Sequence, residues 1–195
     1  MDIYLLRHGK SEENEKNTYY GAIDCSLSYE GINQGNRVKE KLRGIDFQCA
    51  YVSPTKRTLE TLNLVKSSKD LVVNLEERLI EINFGDFEGK NYDELLRLYP
   101  SECEQWKDNW KDFTPPGGES YVQLYKRVES FMKELINKDY EKVLLVTHSG
   151  VIRTIYTYVL GGNLDLFWGF GCKNCDLAII KYEYGNLYID SITHC

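Results

Sequence analysis

Two short segments, "IYLL" at residues 3–6 and "VLLVT" at residues 143–147, are apolar with almost no break. Such runs suit strands covered on both faces of a mainly parallel sheet. Further strands are expected at Ala50–Val52, Leu71–Asn74 and Leu177–Tyr182. Between them the apolar positions fall at helical spacing, best seen from Tyr121 to Asn137, where Tyr121, Leu124, Tyr125, Val128, Phe131, Met132 and Leu135 recur at three- and four-residue steps. Ser120 with Gln123 makes a capping-box pattern just after "PPGG", and Ser53 with Pro54 predicts an N-cap and a first-turn proline for a second helix. A third helix is expected to begin after His148. The end of the chain, "KYEYGNLYIDSI", reads as a hairpin turning at Gly185 and Asn186.

This alternation predicts one α/β domain over residues 1–195, a three-layer α/β/α sandwich around a mainly parallel central sheet. The exception is Lys90–Thr114, a polar stretch with two short helical patterns and Trp106, Trp110 and Phe113. With the turn that follows, residues 90–118 are expected to form a small helical cap.

Composition narrows the function classes. With 42% hydrophobic and 28% charged residues, the 195-residue chain has the balance of a globular domain. A net charge of −6 without any block of Lys or Arg argues against nucleic acid or an anionic lipid surface as partner. No apolar run approaches the roughly 18 residues of a membrane span, and no leader pattern is present, so the cytoplasm is the expected location. The six cysteines, Cys25, Cys49, Cys103, Cys172, Cys175 and Cys195, are scattered as free thiols would be. Only Cys172 and Cys175 have ligand spacing. His194 and Cys195 could complete a zinc site with them, but a lone C-x-x-C is a weak signal and no metal is expected.

The informative residues stand at the strand ends, where open α/β sheets bind ligands. Arg7, His8 and Gly9 follow the first strand, "SPTKRTLET" with Arg57 follows the second, and His148, Ser149 and Gly150 follow "VLLVT". Taken singly, each has a structural explanation. Two histidines and two arginines converging on one crevice call for an anion, since crowding that much positive charge has no structural benefit. Arginine matches phosphate bidentately, and the helix after His148 is expected to add backbone N–H donors. A neutral His8 beside guanidinium groups is a competent nucleophile toward phosphorus, and attack would give a phosphohistidine. Glu81, among the apolar residues of "RLIEINFGDFEG", could protonate the leaving alkoxide.

"LLRHGKS" with Asn14, "SPTKRTLET", "LIEINFGDFEG", "PPGGES" and "VTHSG" resemble, in order and spacing, the histidine phosphatase superfamily in its phosphoglycerate-mutase-like branch. The resemblance runs from residue 3 to about residue 160 and implies that branch's fold. It implies that His8 is phosphorylated, that Arg7, Asn14, Arg57 and His148 hold the phosphate, that Glu81 is the proton donor and later the base, and that no metal or other cofactor is needed. Ser149, placed with the phosphate-binding group, stands where many members have glycine. "YYGAIDCSLSYEG" and "GDFEGKNYDEL" are similar to segments of α-ribazole-5′-phosphate phosphatases of cobalamin synthesis. The expected function is therefore a phosphatase of a small phosphorylated metabolite, α-ribazole 5′-phosphate being one candidate. A cofactor-dependent phosphoglycerate mutase and a catalytically idle phosphate-binding protein stay open, as does a homodimer. Tyr19, Tyr20, Trp106, Trp110 and Phe113 suit either a ring-binding pocket or the packing of the cap.

Overall fold

In the computed structural model, which describes residues 1–195, six strands form one mixed sheet. In chain order these are β1 (Asp2–Arg7), β2 (Cys49–Val52), β3 (Val72–Leu75), β4 (Lys142–Thr147), β5 (Leu177–Glu183) and β6 (Asn186–Thr193). Their order across the sheet is β3-β2-β4-β1-β5-β6. The first four run parallel, while β5 and β6 are antiparallel additions at one edge.

Seven α-helices accompany the strands: α1 (Glu12–Lys16), α2 (Tyr29–Lys41), α3 (Lys56–Val65), α4 (Tyr92–Leu98), α5 (Pro100–Asp108), α6 (Tyr121–Leu135) and α7 (Ser149–Val159). Alternation along the strands divides the apolar residues between two cores. Ile3, Leu5, Val143 and Leu145 face α6 and α7, burying Leu124, Val128, Phe131, Ile152 and Ile155. Tyr4, Leu6, Ala50, Val52, Leu144 and Val146 face α2 and α3, burying Val38, Leu62 and Val65. The expected three layers are present.

From β1 the chain leaves toward the α2 side, and from adjacent β4 it leaves into α7 on the other face. A crevice therefore opens between the carboxyl ends of β1 and β4, the switch point at which such sheets bind ligands. Residues 90–118 contain α4 and α5, and their Trp106 and Phe113 pack on each other and on Phe87 just before the segment, ring centroids 5.7 to 6.0 Å apart.

Two local expectations need correction. Ser53 does not cap the second helix; α3 begins at Lys56 after Thr55, because Ser53 is turned inward, its carbonyl accepting from the Thr58 hydroxyl at 2.6 Å. The terminal hairpin turns one residue earlier than expected. Glu183 pairs with Asn186, so Tyr184 and Gly185, both at positive φ, make the two-residue turn. The α6 start agrees with its pattern: Ser120 Oγ accepts from Gln123 N–H, and Gln123 Oε1 accepts from Ser120 N–H.

Candidate active site

Backbone bonds carry β1 one residue past its end. His8 N–H donates to Thr147 O at 2.9 Å, which places His8 beside the last residue of β4. Gly9 N–H then donates to Thr61 Oγ1 at 3.0 Å, and a Cβ on Gly9 would lie 2.6 Å from Gly31 O, so only glycine permits this turn. The His8 ring donates Nδ1–H to Gly9 O at 2.7 Å. That fixes the tautomer: Nε2 carries the lone pair.

The C-x-x-C segment supports the same pair of residues from the other side. Arg7 Nη1 donates to Cys172 O at 2.6 Å, Arg7 N–H to Asp176 O, and His8 O accepts from Asn174 Nδ2 and Cys175 N–H. Burial pushes both the Cys172 and Cys175 thiols up to about 12, and no three His, Cys, Asp or Glu side chains come together as a metal set. His194 pairs with Asp176 at 2.8 Å. This spacing belongs to a turn that cradles Arg7 and His8 through main-chain groups.

Arg57, on the first turn of α3, is completely buried. Its Nη1 and Nη2 each donate at 2.8 Å, to Ile23 O and Gly21 O, and its Nε donates to His148 Nδ1 at 3.3 Å. His148 Nε2–H is thereby left to donate to Ser53 Oγ at 2.8 Å, which is what Ser53 does in place of capping a helix. The His8 and His148 rings stand edge to face, 5.1 Å apart. Both are held well below the ordinary histidine range, first by burial. For His8 the nearby Arg7 and Arg57 charges act in the same direction; for His148 it is Arg57, His8, Arg7 and Arg127.

Glu81 faces them from across the cleft. Its Oε2 accepts from Gly150 N–H at 3.0 Å and Ser149 Oγ at 3.4 Å, and its Oε1 accepts from Ile82 N–H. The N-terminus of α7, expected to serve the anion, gives its Gly150 N–H to this carboxylate. A Cβ on Gly150 would approach Glu81 Oε1 to 2.3 Å, so glycine is required for the contact. The Glu81 main chain is fixed by Arg127, which donates to Glu81 O and Arg78 O while paired bidentately with Glu119. Glu119 belongs to the "PPGGES" motif, and its role in placing Glu81 carries no local sequence signal.

A cleft of about 650 Å³ joins these groups. Arg7, His8, Glu81 and Ser149 line it, with Glu81 the one carboxylate in the lining; Arg57 and His148 lie buried behind. Asn14 sits beside the wall as part of a cap: its Oδ1 accepts from Ser11 and from Asn174 Nδ2. Tyr19 and Tyr20 line the cleft, the Tyr20 ring lying 5.1 Å beneath the Arg57 guanidinium. Among the lining residues that escaped the sequence reading is Arg153, whose buried Nε has no hydrogen-bond partner and whose guanidinium rests on Phe167 and Trp168. Arg7 Nε is likewise buried and unpaired. The arginines that do form ion pairs, Arg43, Arg78 and Arg127, lie elsewhere.

The sequence profile of the histidine phosphatase superfamily (branch 1) matches residues 3–194. The chain belongs to this superfamily. Phosphoserine phosphatase 1 of Hydrogenobacter thermophilus is 33% identical over 184 residues, 94% of this chain and 87% of that one. The adenosylcobalamin/alpha-ribazole phosphatase of Escherichia coli K12 is 29% identical over 192 residues, 97% of this chain and 95% of its own. The crystal structure of the alpha-ribazole phosphatase from Shigella flexneri superposes with a TM-score of 0.92 at 26% identity, covering 97% of this chain and 94% of that one. This histidine phosphatase thus has phosphatases as sequence relatives and as structural neighbours.

Its cleft presents an imidazole lone pair beside guanidinium groups without carboxylate partners, and a carboxyl group opposite. A lowered pKa keeps His8 neutral, hence nucleophilic, as pH falls below 7; protonation removes the lone pair only below the lowered value. An NMR titration of the free enzyme is expected to show His8 and His148 still neutral at pH 6, whereas an ordinary histidine is half protonated near 6.5, about the unperturbed value. A midpoint at 6.5 or above for His8 would contradict the electrostatic description of the site.

Proposed function

We propose that this histidine phosphatase hydrolyses small phosphomonoesters without a metal, through a phosphohistidine on His8. One observation carries the reading: the free Nε2 of a neutral, buried His8 stands under the charges of Arg7 and Arg57, whose guanidinium groups have no carboxylate to neutralise them. A buried cation held only by neutral groups is costly, and a phosphate dianion is the partner that offsets it. His8 Nε2 attacks phosphorus as the ester P–O bond breaks, and the leaving alkoxide takes a proton from Glu81. Glu81 then accepts a proton from water as the water oxygen attacks phosphorus, the P–N bond breaks, and phosphate and free His8 result. Arg7 and Arg57 neutralise the equatorial oxygens, supplying the charge that phosphoryl transfer needs, and the neutral His148 completes the phosphate-binding set beside them. Asn14 and Ser149 complete the polar surround, Ser149 by holding Glu81.

For the substrate we favour α-ribazole 5′-phosphate, the ligand class named for the E. coli relative. An aromatic groove of about 640 Å³, lined by Tyr92, Trp106 and Trp110, shares Tyr19, Tyr121 and Trp168 with the cleft and suits a flat ring on the leaving group. Residues 90–118, which supply its outer wall, act in this reading as a cap. Of the five aromatics in question, Phe113 packs within the cap, whereas Tyr19, Trp106 and Trp110 reach the groove. Phosphoserine is the second reading, favoured by the unpartnered guanidinium of Arg153, which a substrate carboxylate would satisfy. Six free cysteines, five of them buried, fit a cytoplasmic location, and no helix is long and apolar enough to cross a membrane.

Phosphate release is to be measured with chelator present, over α-ribazole 5′-phosphate, phosphoserine, 3-phosphoglycerate with and without bisphosphoglycerate, and an aryl phosphate. Wild type should turn over one physiological ester fast, and His8→Ala, still folded and still binding phosphate, should lose turnover entirely. Substantial residual activity in His8→Ala would remove the nucleophile assignment. Glu81→Gln should slow esters with poor leaving groups by about 10² or more, the range of general acids, while sparing activated aryl phosphates. Equal losses on both kinds of ester would make Glu81 structural.

A second copy of the chain is part of the proposal. The outer strand β3 leaves Val72 and Leu75 more than half exposed along an unpaired sheet edge, a surface that isolated proteins usually protect. Sedimentation should show a dimer that Val72→Lys converts to monomer, and a monomeric wild type would refute it.

A further inference from the structure

We propose that Glu88 is a positioning residue for Arg57, acting through the main chain of residues 21–23. Glu88 lies just beyond the turn Gly85–Phe87, and its carboxylate accepts four backbone N–H groups. Oε1 takes those of Gly21 at 3.1 Å, Ala22 at 2.7 Å and Phe84 at 3.2 Å, and Oε2 takes that of Ile23 at 2.8 Å. No cation shares this carboxylate; Lys90 Nζ donates to the Glu88 main-chain oxygen. The carbonyls of the same loop, Gly21 O and Ile23 O, receive the two Arg57 nitrogens at 2.8 Å each.

The loop is thus gripped on its N–H side by an anion and on its C=O side by a cation. Each charge polarises the intervening peptides in the direction that strengthens the other's bonds. Space leaves the loop no alternative seat, because a Cβ on Gly21 would fall 1.8 Å from Ile82 O. Arg57 has no carboxylate and no exposed surface, so its direction depends on these two carbonyls and on His148. Without Glu88, four N–H groups lose their acceptor and the carbonyls that aim the guanidinium are no longer fixed.

The inference rests on Arg57 being a phosphate ligand. In Glu88→Ala, and more mildly in Glu88→Gln, kcat/KM for an aryl phosphate should fall by about 10²-fold, the scale of a misplacement near 1 Å. Affinity for inorganic phosphate by calorimetry should fall in parallel, with circular dichroism and the thermal transition of Glu88→Gln close to wild type. A purely structural Glu88 would cost the same in any background; a positioning residue would not. In an Arg57→Lys background, where the two-carbonyl anchor is already gone, adding Glu88→Gln should cost less than about 2-fold. An undiminished cost there, or a phosphate affinity equal to wild type in the single variant, overturns the proposal. So does a Glu88→Gln protein that fails to fold. If the wild type released no phosphate from any ester, the catalytic reading would fall, and the calorimetric comparison would still decide the role of Glu88.

Discussion

The parallel pairing of β1 with β4, in the register that sets Arg7 opposite Thr147, is the constraint on which the rest depends. It brings His8 and His148 to the same level of the sheet. The adjoining pairing of Val52 with Val146 brings Ser53 there as well. Apolar alternation cannot set this register, because Ile3–Leu6 and Val143–Val146 are buried on both faces and would find hydrophobic company in either phase. The polar ends decide it. A slip of one residue would carry Arg7 away from its place beside Thr147 and from its acceptor Cys172 O, and part Asp2 from Lys142, the residue opposite it at the other end. An unpaired buried charge costs several kcal/mol, a large part of the roughly 5–15 kcal/mol by which a domain is stable. Arg7 therefore helps to specify the fold that it also equips for function.

Around that register the site manages charge by separating it. Arg7 is held by a carbonyl of the 172–176 turn and Arg57 by carbonyls of the 21–23 loop, which leaves both cations without counter-ions. The histidines between them are neutral because burial and those same cations disfavour a further positive charge. The carboxylate across the cleft is kept apart by its own donors, Gly150 and Ile82 N–H, and so does not collapse onto the arginines. Carbonyl dipoles orient the cations without neutralising them, and the phosphate proposed to complete the site would come from outside.

The sequence made legible those features whose causes are local. The sheet follows from "IYLL" and "VLLVT", the start of α6 from Ser120 and Gln123, and the convergence of His8, Arg57 and His148 from their places at strand ends. What was misread or missed depends on contacts distant in sequence. Ser53 has every local mark of an N-cap and instead holds His148, 95 residues on. Glu88 and Glu119 look like surface carboxylates beside glycines; one reaches back to Gly21–Ile23 and the other supports Arg127 under Glu81. Arg153 is masked by its own amphipathic helix, where an arginine ordinarily snorkels to water. Cys172 and Cys175 mimic ligand spacing because a tight turn and a metal knuckle bring residues together at the same interval.

The division of labour between sheet and helix has a consequence for specificity. The residues proposed to grip phosphate stand just past strand ends or on the first turn of the helix that follows. Glu81 is oriented by Gly150, at the start of α7. Arg153, three residues along that helix, lies about 4.5 Å farther on. Its guanidinium rests there on Phe167 and Trp168, and Trp168 also lines the aromatic groove. In the proposed reaction phosphate is gripped at the strand ends and the leaving group meets α7 and the aromatic groove, elements joined at His148, where β4 ends and α7 begins. On this reading the surface formed by Arg153 and the aromatic groove can change while the geometry proposed for transfer stays fixed.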